Sequence, residues 1–202
     1  KSRTTCYYNF FHILFFTLAE TISILHNLKR SIHYSMSISR QNLSVVIVTL
    51  KSEKVIDRCI NSINQSIPIV VVENSENQKF KQYLESKYKN LKCILSGDNL
   101  GMGAGNNLGI KSTNTEYVLI LNPDVILEPN TLEEIFLASK KIPDFSILSP
   151  INLDLNFPNY KEEKKFKNNN SPFQVDYIDG FSMLINKKKF NNNIYFDENF
   201  FL

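Results

Sequence analysis

Four short apolar runs, separated by segments in which apolar residues follow helical spacing, constrain the fold of this chain more than any other feature. The runs lie at residues 43–49, 69–73, 92–95 and 117–121. A nearly continuous apolar run of this length is typical of a strand that is buried on both faces of a sheet. Between the runs, apolar side chains recur every three or four residues, as on one face of a helix. Strands that alternate with helices predict an α/β fold with one mostly parallel central sheet flanked by helices.

The remaining elements are predicted from weaker patterns. Ser52 is expected to cap the first helix, and a glycine-rich turn is expected to lead into a short helix over 106–111. A helix is predicted over 131–141 and a further strand at 146–148, and strand character returns within 175–186. The segment 151–174 is rich in Asn, Lys, Glu and Pro, which predicts a solvated loop or flap.

Composition limits the class of function. The 202 residues carry a formal net charge of +3, and this excess lies entirely before Met36, so no nucleic-acid partner is expected. All three histidines also precede Met36, which excludes Ser-His-Asp catalysis and His-bound zinc from the main body. The three cysteines form no CxxC pair, which favours a reducing compartment.

The first 35 residues differ from the rest and are interpreted as a leader, with one folded domain at 36–202. The apolar stretch near the N-terminus is shorter than the ~20 residues that cross a membrane. Three interpretations stay open: residues encoded upstream of a start at Met36, a weak amphipathic segment on a membrane surface, and a signal or anchor. We expect the first. The pattern at 196–202 stops without a terminal helix or polar tail, so we expect a domain that is incomplete at its C-terminus.

Polar residues follow three of the predicted strands at their carboxyl ends. They lie at 49–53, 73–75 and 122–124. Ligands of open α/β sheets bind beyond the carboxyl ends of the strands. We therefore expect a binding site at this edge of the sheet.

The segment Asn122-Pro123-Asp124 carries the first candidate chemistry. A carboxylate and an amide oxygen after a buried strand are hard ligands of the kind that Mg²⁺ and Mn²⁺ prefer and share with a diphosphate. A bound cation there would offset the charge of a nucleotide diphosphate leaving group. The alternative is an ordinary turn, since Asn, Pro and Asp are all turn formers.

The second candidate is the segment 97–109, which holds five of the six glycines. A glycine-rich turn that enters a helix can cradle a phosphate, and glycine also permits tight packing beside a sugar or nucleoside. A dinucleotide-binding fingerprint fits poorly, because its third glycine would fall at Asn106. A dinucleotide-binding oxidoreductase domain therefore stays as an alternative only.

Six motifs together resemble those of family 2 glycosyltransferases, in the same order and at matching spacing. They are SVVIVT (44–49), VVVENS (70–75), DNLGMGAGNNLGI (98–110), LILNPDV (119–125), VDYIDGFSMLINKKKF (175–190) and FDENFFL (196–202). The likeness covers residues 43–202 and is strongest to the rhamnosyltransferase-like bacterial branch. It implies a single GT-A domain, Rossmann-like in its α/β architecture. It also implies inverting transfer of a sugar from a UDP-, dTDP- or GDP-linked donor to a glycan or lipid-linked acceptor, with Mg²⁺ or Mn²⁺.

The resemblance also implies roles for individual residues. The nucleotide-sugar would be bound by Thr49, Leu50, Glu53, Glu73, Asn74, Gly101, Asn106, Asn107, Asn122 and Asp124. Asp124 would face the metal, as the second acid of a variant DxD motif. The acceptor side would include Asp179 and Gly180. The protein would act in the cytoplasm, at the inner face of the cell membrane or free of it.

This chain departs from the family pattern at several positions. Leu50-Lys51 stands where the family has Tyr-Asn, Glu73 replaces an Asp that binds the nucleobase, and Asn122 replaces the first acid of DxD. The family's general base would lie beyond Leu202, and Asp197 and Glu198 are interpreted as a surface turn. We therefore expect residues 1–202 to bind nucleotide and metal but to transfer sugar poorly. A non-catalytic nucleotide-sugar-binding domain is the remaining alternative.

Overall fold

The computed structural model describes residues 6–9, 42–150 and 171–200. In chain order, the elements are β1 (Cys6–Asn9), β2 (Leu43–Thr49), α1 (Ile56–Ser62), β3 (Ile69–Glu73), α2 (Gln78–Lys87), β4 (Leu91–Leu95), α3 (Gly101–Lys111), β5 (Tyr117–Leu121), α4 (Thr131–Lys141), β6 (Ile147–Pro150), β7 (Phe173–Val175) and β8 (Ser182–Asn186). Two short 3₁₀ turns follow β8, at Lys187–Lys189 and Asn191–Asn193.

The strands form one mixed sheet in the order β4-β3-β2-β5-β8-β6-β1-β7. The pairs β3–β4, β2–β3, β2–β5 and β1–β6 are parallel. Strand β8 runs antiparallel to both of its neighbours, β5 and β6, and β7 runs antiparallel to β1. The α/β fold with a mostly parallel sheet is therefore confirmed.

Side chains alternate across the sheet and build one apolar cluster on each face. On the first face, Ile47 and Leu119 pack with residues of α1, α2 and α4 such as Ile56. On the second face, Val46 and Ile120 pack with α3 and with the segment after β8. The central strands β2 and β3 are almost fully buried, as their apolar runs predict.

The predicted strands and helices are confirmed, with three corrections. Strand β7 begins at Phe173, inside the segment predicted to be a loop, and it is separate from β8. Helix α3 begins at Gly101 and not near Asn106, so the expected glycine-rich turn is mostly helix. Two of its glycines, Gly105 and Gly109, bring the helix backbone close to valines of β2 and β3. Ser52 does not cap α1 with its side chain: Val55 occupies that position, and the Ser52 hydroxyl donates to the Leu50 carbonyl at 3.2 Å.

Three predictions fall largely outside the described residues. They concern the leader at 1–35, of which only Cys6–Asn9 is described, most of the loop at 151–174, and the end of the chain. No helix in the described ranges is long and apolar enough to span a bilayer.

Candidate functional site

The carboxyl ends of β2, β3 and β5 meet the first residue of β8 at one edge of the sheet, here called the carboxyl edge. Thr49 pairs with Glu73 at the ends of β2 and β3. Leu121 pairs with Ser182 at the end of β5 and the start of β8. The Asn122 amide extends this ladder by donating to the Phe181 carbonyl at 3.0 Å. The topology therefore brings polar residues from four strands to one place.

Three of these residues lie on the first face of the sheet, because each is next in the chain to a residue that packs in the apolar cluster of the second face. They are Thr49, Glu73 and Ser182, and all three are buried. Thr49 Oγ1, Glu73 Oε2 and Ser182 Oγ have no hydrogen-bond partner among the described residues. A buried polar atom without a partner costs about 1–3 kcal/mol. Such a group of atoms is typical of a site that a polar ligand completes.

Glu73 is the buried carboxylate of this edge. Its Oε1 accepts a short hydrogen bond from the Ser75 hydroxyl. Burial raises the pKa of the Glu73 carboxyl, the Ser75 hydroxyl counteracts this rise, and the negative charge of Glu53 adds to it. Glu53 itself is exposed and accepts from Asn77 Nδ2 at 3.2 Å. The loop after β2 thus carries a second carboxylate beside the end of β3.

The turn Asn122–Asp124 follows β5 at the same edge. The Val125 amide donates to the Asn122 carbonyl at 3.1 Å, and the Cys59 thiol of α1 also approaches that carbonyl, at 3.6 Å. Burial and, to a smaller extent, the charge of Asp124 raise the pKa of Cys59 to about 12. The turn therefore presents the exposed Asp124 carboxylate next to the buried side of α1.

The oxygen atoms of this turn fit a hard divalent cation. Asn122 Oδ1 is buried and unpartnered among the described residues, and Asp124 supplies one exposed carboxylate. Within those residues, no group of three or more His, Cys, Asp or Glu side chains could enclose a metal ion. Mg²⁺ is commonly held by one or two carboxylates together with substrate phosphates and waters. Asn122 and Asp124 would therefore hold a cation together with an anionic ligand, and not alone.

The sequence profile described as Glycosyl transferase family 2 matches residues 44–201, more than half of the chain. The chain belongs to glycosyl transferase family 2. The Low-salt glycan biosynthesis hexosyltransferase Agl10 of Haloferax volcanii is 30% identical over 182 residues, which are 80% of this chain and 58% of that protein. The Uncharacterized glycosyltransferase MJ1057 of Methanocaldococcus jannaschii is 29% identical over 171 residues, 77% of this chain and 59% of that protein. The chain thus spans less than two thirds of the length of these curated relatives.

Solved structures share the fold of this family 2 chain. S. aureus TarS 1-349 matches with a TM-score of 0.57 and 19% identity, over 80% of this chain and 52% of that one. The mannosyltransferase PcManGT from Pyrobaculum calidifontis, in complex with GDP-Man and Mn²⁺, matches with a TM-score of 0.56 and 14% identity, over 84% of this chain and 55% of that one. At these identities the likeness shows the fold alone, and it confirms the predicted GT-A class.

Two asparagines of the predicted nucleotide site in this family 2 chain make structural hydrogen bonds. Asn74 Nδ2 donates to Asn99 Oδ1 at 2.9 Å and to the Gly101 carbonyl at 3.1 Å, and Asn74 Oδ1 accepts from the Leu100 amide at 3.1 Å. Asn74 therefore fixes the start of α3 to the end of β3. The amide of Asn107 is bound by the segment after β8.

The neighbouring Asn106 is different. It is buried, and neither its Nδ2 nor its Oδ1 has a hydrogen-bond partner among the described residues. Gly101, which opens α3, has a positive φ of 73° that favours glycine. The Asn106 side chain is therefore not used in the hydrogen bonds of the described residues, whereas Gly101 supplies a backbone conformation that favours glycine.

The other predicted residues lie around the carboxyl edge. Leu50 is exposed in the loop after β2, close to Glu53 in the chain. Asp179 is buried and lies three residues before Ser182, the first residue of β8, and Gly180 is exposed and lies two residues before it. A Cβ at Gly180 would meet no atom of the described residues within 4 Å, so those residues leave open space there.

Sequence reasoning missed Ser182 and the role of Asn107 in holding the later segment. The available signal for Ser182 was a small polar residue at the start of an apolar run, SMLIN. No local pattern could indicate the partners of Asn107, because they lie about ninety residues later in the chain.

Proposed function

We propose that this chain binds the donor of a nucleotide-sugar-dependent glycosyltransferase that moves a hexose from a nucleoside diphosphate to a glycan or lipid-linked acceptor. The observation that carries the proposal is the set of buried, unpartnered polar atoms at the carboxyl edge, beside the exposed Asp124. The family supports the reaction class. A relative is named a hexosyltransferase of glycan biosynthesis, and a structure with the same fold contains GDP-Man and Mn²⁺.

The nucleoside is proposed to lie across the ends of β2 and β3. Thr49 Oγ1 and Glu73 Oε2, which have no partner within the described ranges, would hydrogen-bond a polar base or ribose, and Leu50 offers an exposed apolar surface at the same loop. Glu53 adds an exposed carboxylate that can accept from ribose hydroxyls. These groups bind and orient the donor.

The diphosphate is proposed to lie at the turn after β5, where Asn122 and Asp124 would hold Mg²⁺ or Mn²⁺. The cation would supply charge neutralisation for the departing diphosphate. Asp124 orients the donor from this side, and the open space at Gly180 leaves room for an acceptor. Transfer with inversion requires a carboxylate that takes the acceptor's proton on the opposite face of the sugar. By the resemblance, we place that base after Leu202.

Nucleotide-dependent thermal stabilisation tests the proposal. A ligand that binds only the folded chain stabilises it by about 2.7 kcal/mol at one hundred times its Kd. We expect UDP, dTDP or GDP to raise the unfolding temperature in the presence of Mn²⁺ and less in EDTA. NAD, the ligand of the alternative oxidoreductase function, should give no shift. A larger shift with NAD, or no metal-dependent shift with any of the three diphosphates, would contradict the proposal.

Three finer predictions rest on the resemblance and stay predictions: the rhamnosyltransferase-like branch, a cytoplasmic location at or near the inner membrane face, and poor transfer by residues 1–202. A radiolabelled transfer assay against the natural full-length protein tests the last of these. Equal turnover by both would contradict it.

A further inference from the structure

The side chain of Asn107 holds the segment after β8 through four hydrogen bonds. Its Oδ1 accepts from the Tyr195 and Phe196 amides at 3.2 and 3.0 Å. Its Nδ2 donates to the Phe196 carbonyl at 2.9 Å and to Glu198 Oε1 at 2.8 Å. Asn107 is buried, whereas its partner Glu198 lies at the surface. Both the oxygen and the nitrogen of the Asn107 side-chain amide therefore bind this segment.

The held segment covers the part of the second face that α3 leaves uncovered. Tyr195 and Phe196 pack in the same cluster as Met183 and Ile185 of β8. Helix α3 covers β2 and β3 through Gly105 and Gly109. The segment and α3 thus lie side by side on one face of the sheet.

The turn that follows, Asp197–Phe200, lies against the first helical turn of α3. A Cβ at Gly103 would be 3.4 Å from the Asp197 carbonyl oxygen and 3.7 Å from that of Phe200. The Phe200 amide donates to the Asp197 carbonyl at 3.3 Å, which closes the turn. Because Asn74 ties Gly101 to the end of β3, the first turn of α3 is at the carboxyl edge. Asn107 therefore delivers exposed side chains of residues 197–200 to the edge that carries the candidate site.

We propose that Asn107 is a positioning residue for sugar transfer: its amide holds residues 195–198 so that the 197–200 turn forms a wall of the carboxyl edge on the second face of the sheet. This inference rests on the proposed function. The donor groups Thr49 and Glu73 project from the first face, whereas the clamped segment lies on the second. Loss of the four Asn107 hydrogen bonds, here called the clamp, should therefore reduce sugar transfer without weakening nucleotide binding.

The variant Asn107→Asp tests the clamp with almost no change in size. An aspartate keeps an acceptor for the Tyr195 and Phe196 amides, but it turns an oxygen toward the Phe196 carbonyl and the Glu198 carboxylate. The double variant Asn107→Asp with Glu198→Gln exchanges donor and acceptor across one contact and should restore part of the loss. The matched control is Asn114→Asp, the same change at an exposed residue beyond the other end of α3.

Three quantities are measured in the full-length protein: nucleotide Kd with Mn²⁺, kcat and acceptor KM, and hydrogen exchange of the 195–200 amides. Transfer is followed from UDP-N-acetylglucosamine and GDP-mannose to octyl glycosides and isoprenyl phosphates. For Asn107→Asp we expect faster exchange, a Kd within twofold of wild type, and kcat lower by on the order of tenfold or more. Asn114→Asp should match the wild type in all three.

Two results overturn the inference while the proposed function stands. One is a parallel loss of nucleotide affinity and transfer in Asn107→Asp, which would assign Asn107 to the donor site. The other is unchanged kcat despite faster exchange of the segment. Absence of metal-dependent nucleotide binding in the wild type would instead overturn the proposed function, and this inference with it.

Gly103→Leu keeps the test decisive if Asn107→Asp does not fold. The larger side chain would displace the 197–200 turn while Asn107 stays intact. We expect the same split, with kcat reduced and nucleotide Kd retained. Gly103→Ala should displace the turn less, because its Cβ meets the nearest atom at 3.4 Å. Full transfer by Gly103→Leu would contradict the role of the turn.

Discussion

The two edges of the sheet treat their polar groups differently. At the amino edge, where β2, β3 and β5 begin, the Thr115 hydroxyl bonds to Ser44 Oγ at 2.9 Å and Lys187 Nζ donates to the Thr113 carbonyl at 2.8 Å. Asn186 Nδ2 donates to the Phe145 carbonyl at 3.2 Å, whereas Asn186 Oδ1 has no partner among the described residues and is an exception at this edge. At the carboxyl edge, Thr49 Oγ1 and Glu73 Oε2 are buried without partners among the described residues.

This sequence loses stability at the carboxyl edge of the sheet and gains it at the amino edge. Polar groups at the amino edge are used for folding, and each hydrogen bond there contributes about 1 kcal/mol. At the carboxyl edge, the buried atoms without partners among the described residues, such as Thr49 Oγ1 and Glu73 Oε2, weaken the fold unless a ligand completes them. The packing of helix α3 also becomes tighter from the carboxyl edge toward the amino edge. A Cβ added to its glycines would lie 3.4 Å from the nearest atom at Gly103, 2.9 Å at Gly105 and 2.4 Å at Gly109.

The largest expected effect comes from Gly109→Ala, at the tightly packed end of α3. Its Cβ would lie 2.4 Å from Val46 Cγ1, inside a buried strand that cannot move away. We expect a loss of about 3 kcal/mol in the free energy of unfolding. Urea denaturation measures this loss. Gly103→Ala, in the same helix at the open end, should be neutral or stabilising by about 1 kcal/mol. Equal losses of unfolding free energy in the two variants would contradict the difference in packing between the two ends of α3.

Replacing a threonine by valine should change the free energy of unfolding by a smaller amount, and with opposite sign at the two edges. Thr49→Val removes an unpartnered hydroxyl and should raise the free energy of unfolding by about 1 kcal/mol. Thr115→Val removes a hydroxyl that bonds to Ser44 Oγ and to the Tyr117 carbonyl, and should lower it by about 1 kcal/mol. Thr49→Val should also weaken nucleotide binding, and Thr115→Val should not. The same sign in both variants would contradict the account.

The smallest expected effect is a difference in pH dependence between two carboxylates. The pKa of Glu73 is raised by burial, so the folded chain binds its proton more tightly than the unfolded chain. Wild-type stability should therefore fall as pH rises from the ordinary carboxyl value of 4.5 through the raised pKa, and Glu73→Gln should abolish this fall. Stability curves of both proteins between pH 4 and 8 measure the effect.

Asp57 provides the contrast. Burial alone would raise its pKa, but hydrogen bonds from Lys87, Tyr83 and Tyr88 lower it below the ordinary value. Its contribution to stability should be present at neutral pH and disappear as pH falls through the lowered pKa. Asp57→Asn should therefore lose stability at neutral pH, where Glu73→Gln gains it. A gain in the free energy of unfolding in both variants would contradict the view that the hydrogen bonds of Asp57 make it differ from Glu73.

The parts of the fold and site that depend on local pattern could be predicted from the sequence. Buried runs such as 43–49 and 69–73 identified the central strands, and the residues after them identified the carboxyl edge. These predictions succeed because burial on both faces of a parallel sheet leaves a local apolar signature. The placement of Asn122–Asp124 at this edge follows directly from the end of β5.

The parts that depend on distant contacts could not be predicted. The glycines of 101–109 are typical of a turn when the segment is considered in isolation. Their close approach to valines of β2 and β3 explains why Gly105 and Gly109 stand in a helix, and this contact is distant in the chain. Asn106 and Asn107 are identical in type and adjacent, yet one is unpartnered among the described residues and the other makes four hydrogen bonds. Their difference is fixed by residues 195–198, which no local window contains.

The proposed function depends on Asp124, whose carboxylate is proposed to bind the diphosphate of the donor through a divalent cation. Calorimetric titration of UDP, dTDP and GDP into Asp124→Ala, with Mn²⁺ and with EDTA, tests it most directly. The control is Asp144→Ala, which removes an exposed carboxylate that pairs with Lys189 near the amino edge. We predict that Asp124→Ala weakens Mn²⁺-dependent affinity by on the order of tenfold or more and leaves the affinity in EDTA unchanged. Unchanged Mn²⁺-dependent affinity in Asp124→Ala, or an equal loss in Asp144→Ala, would contradict the account.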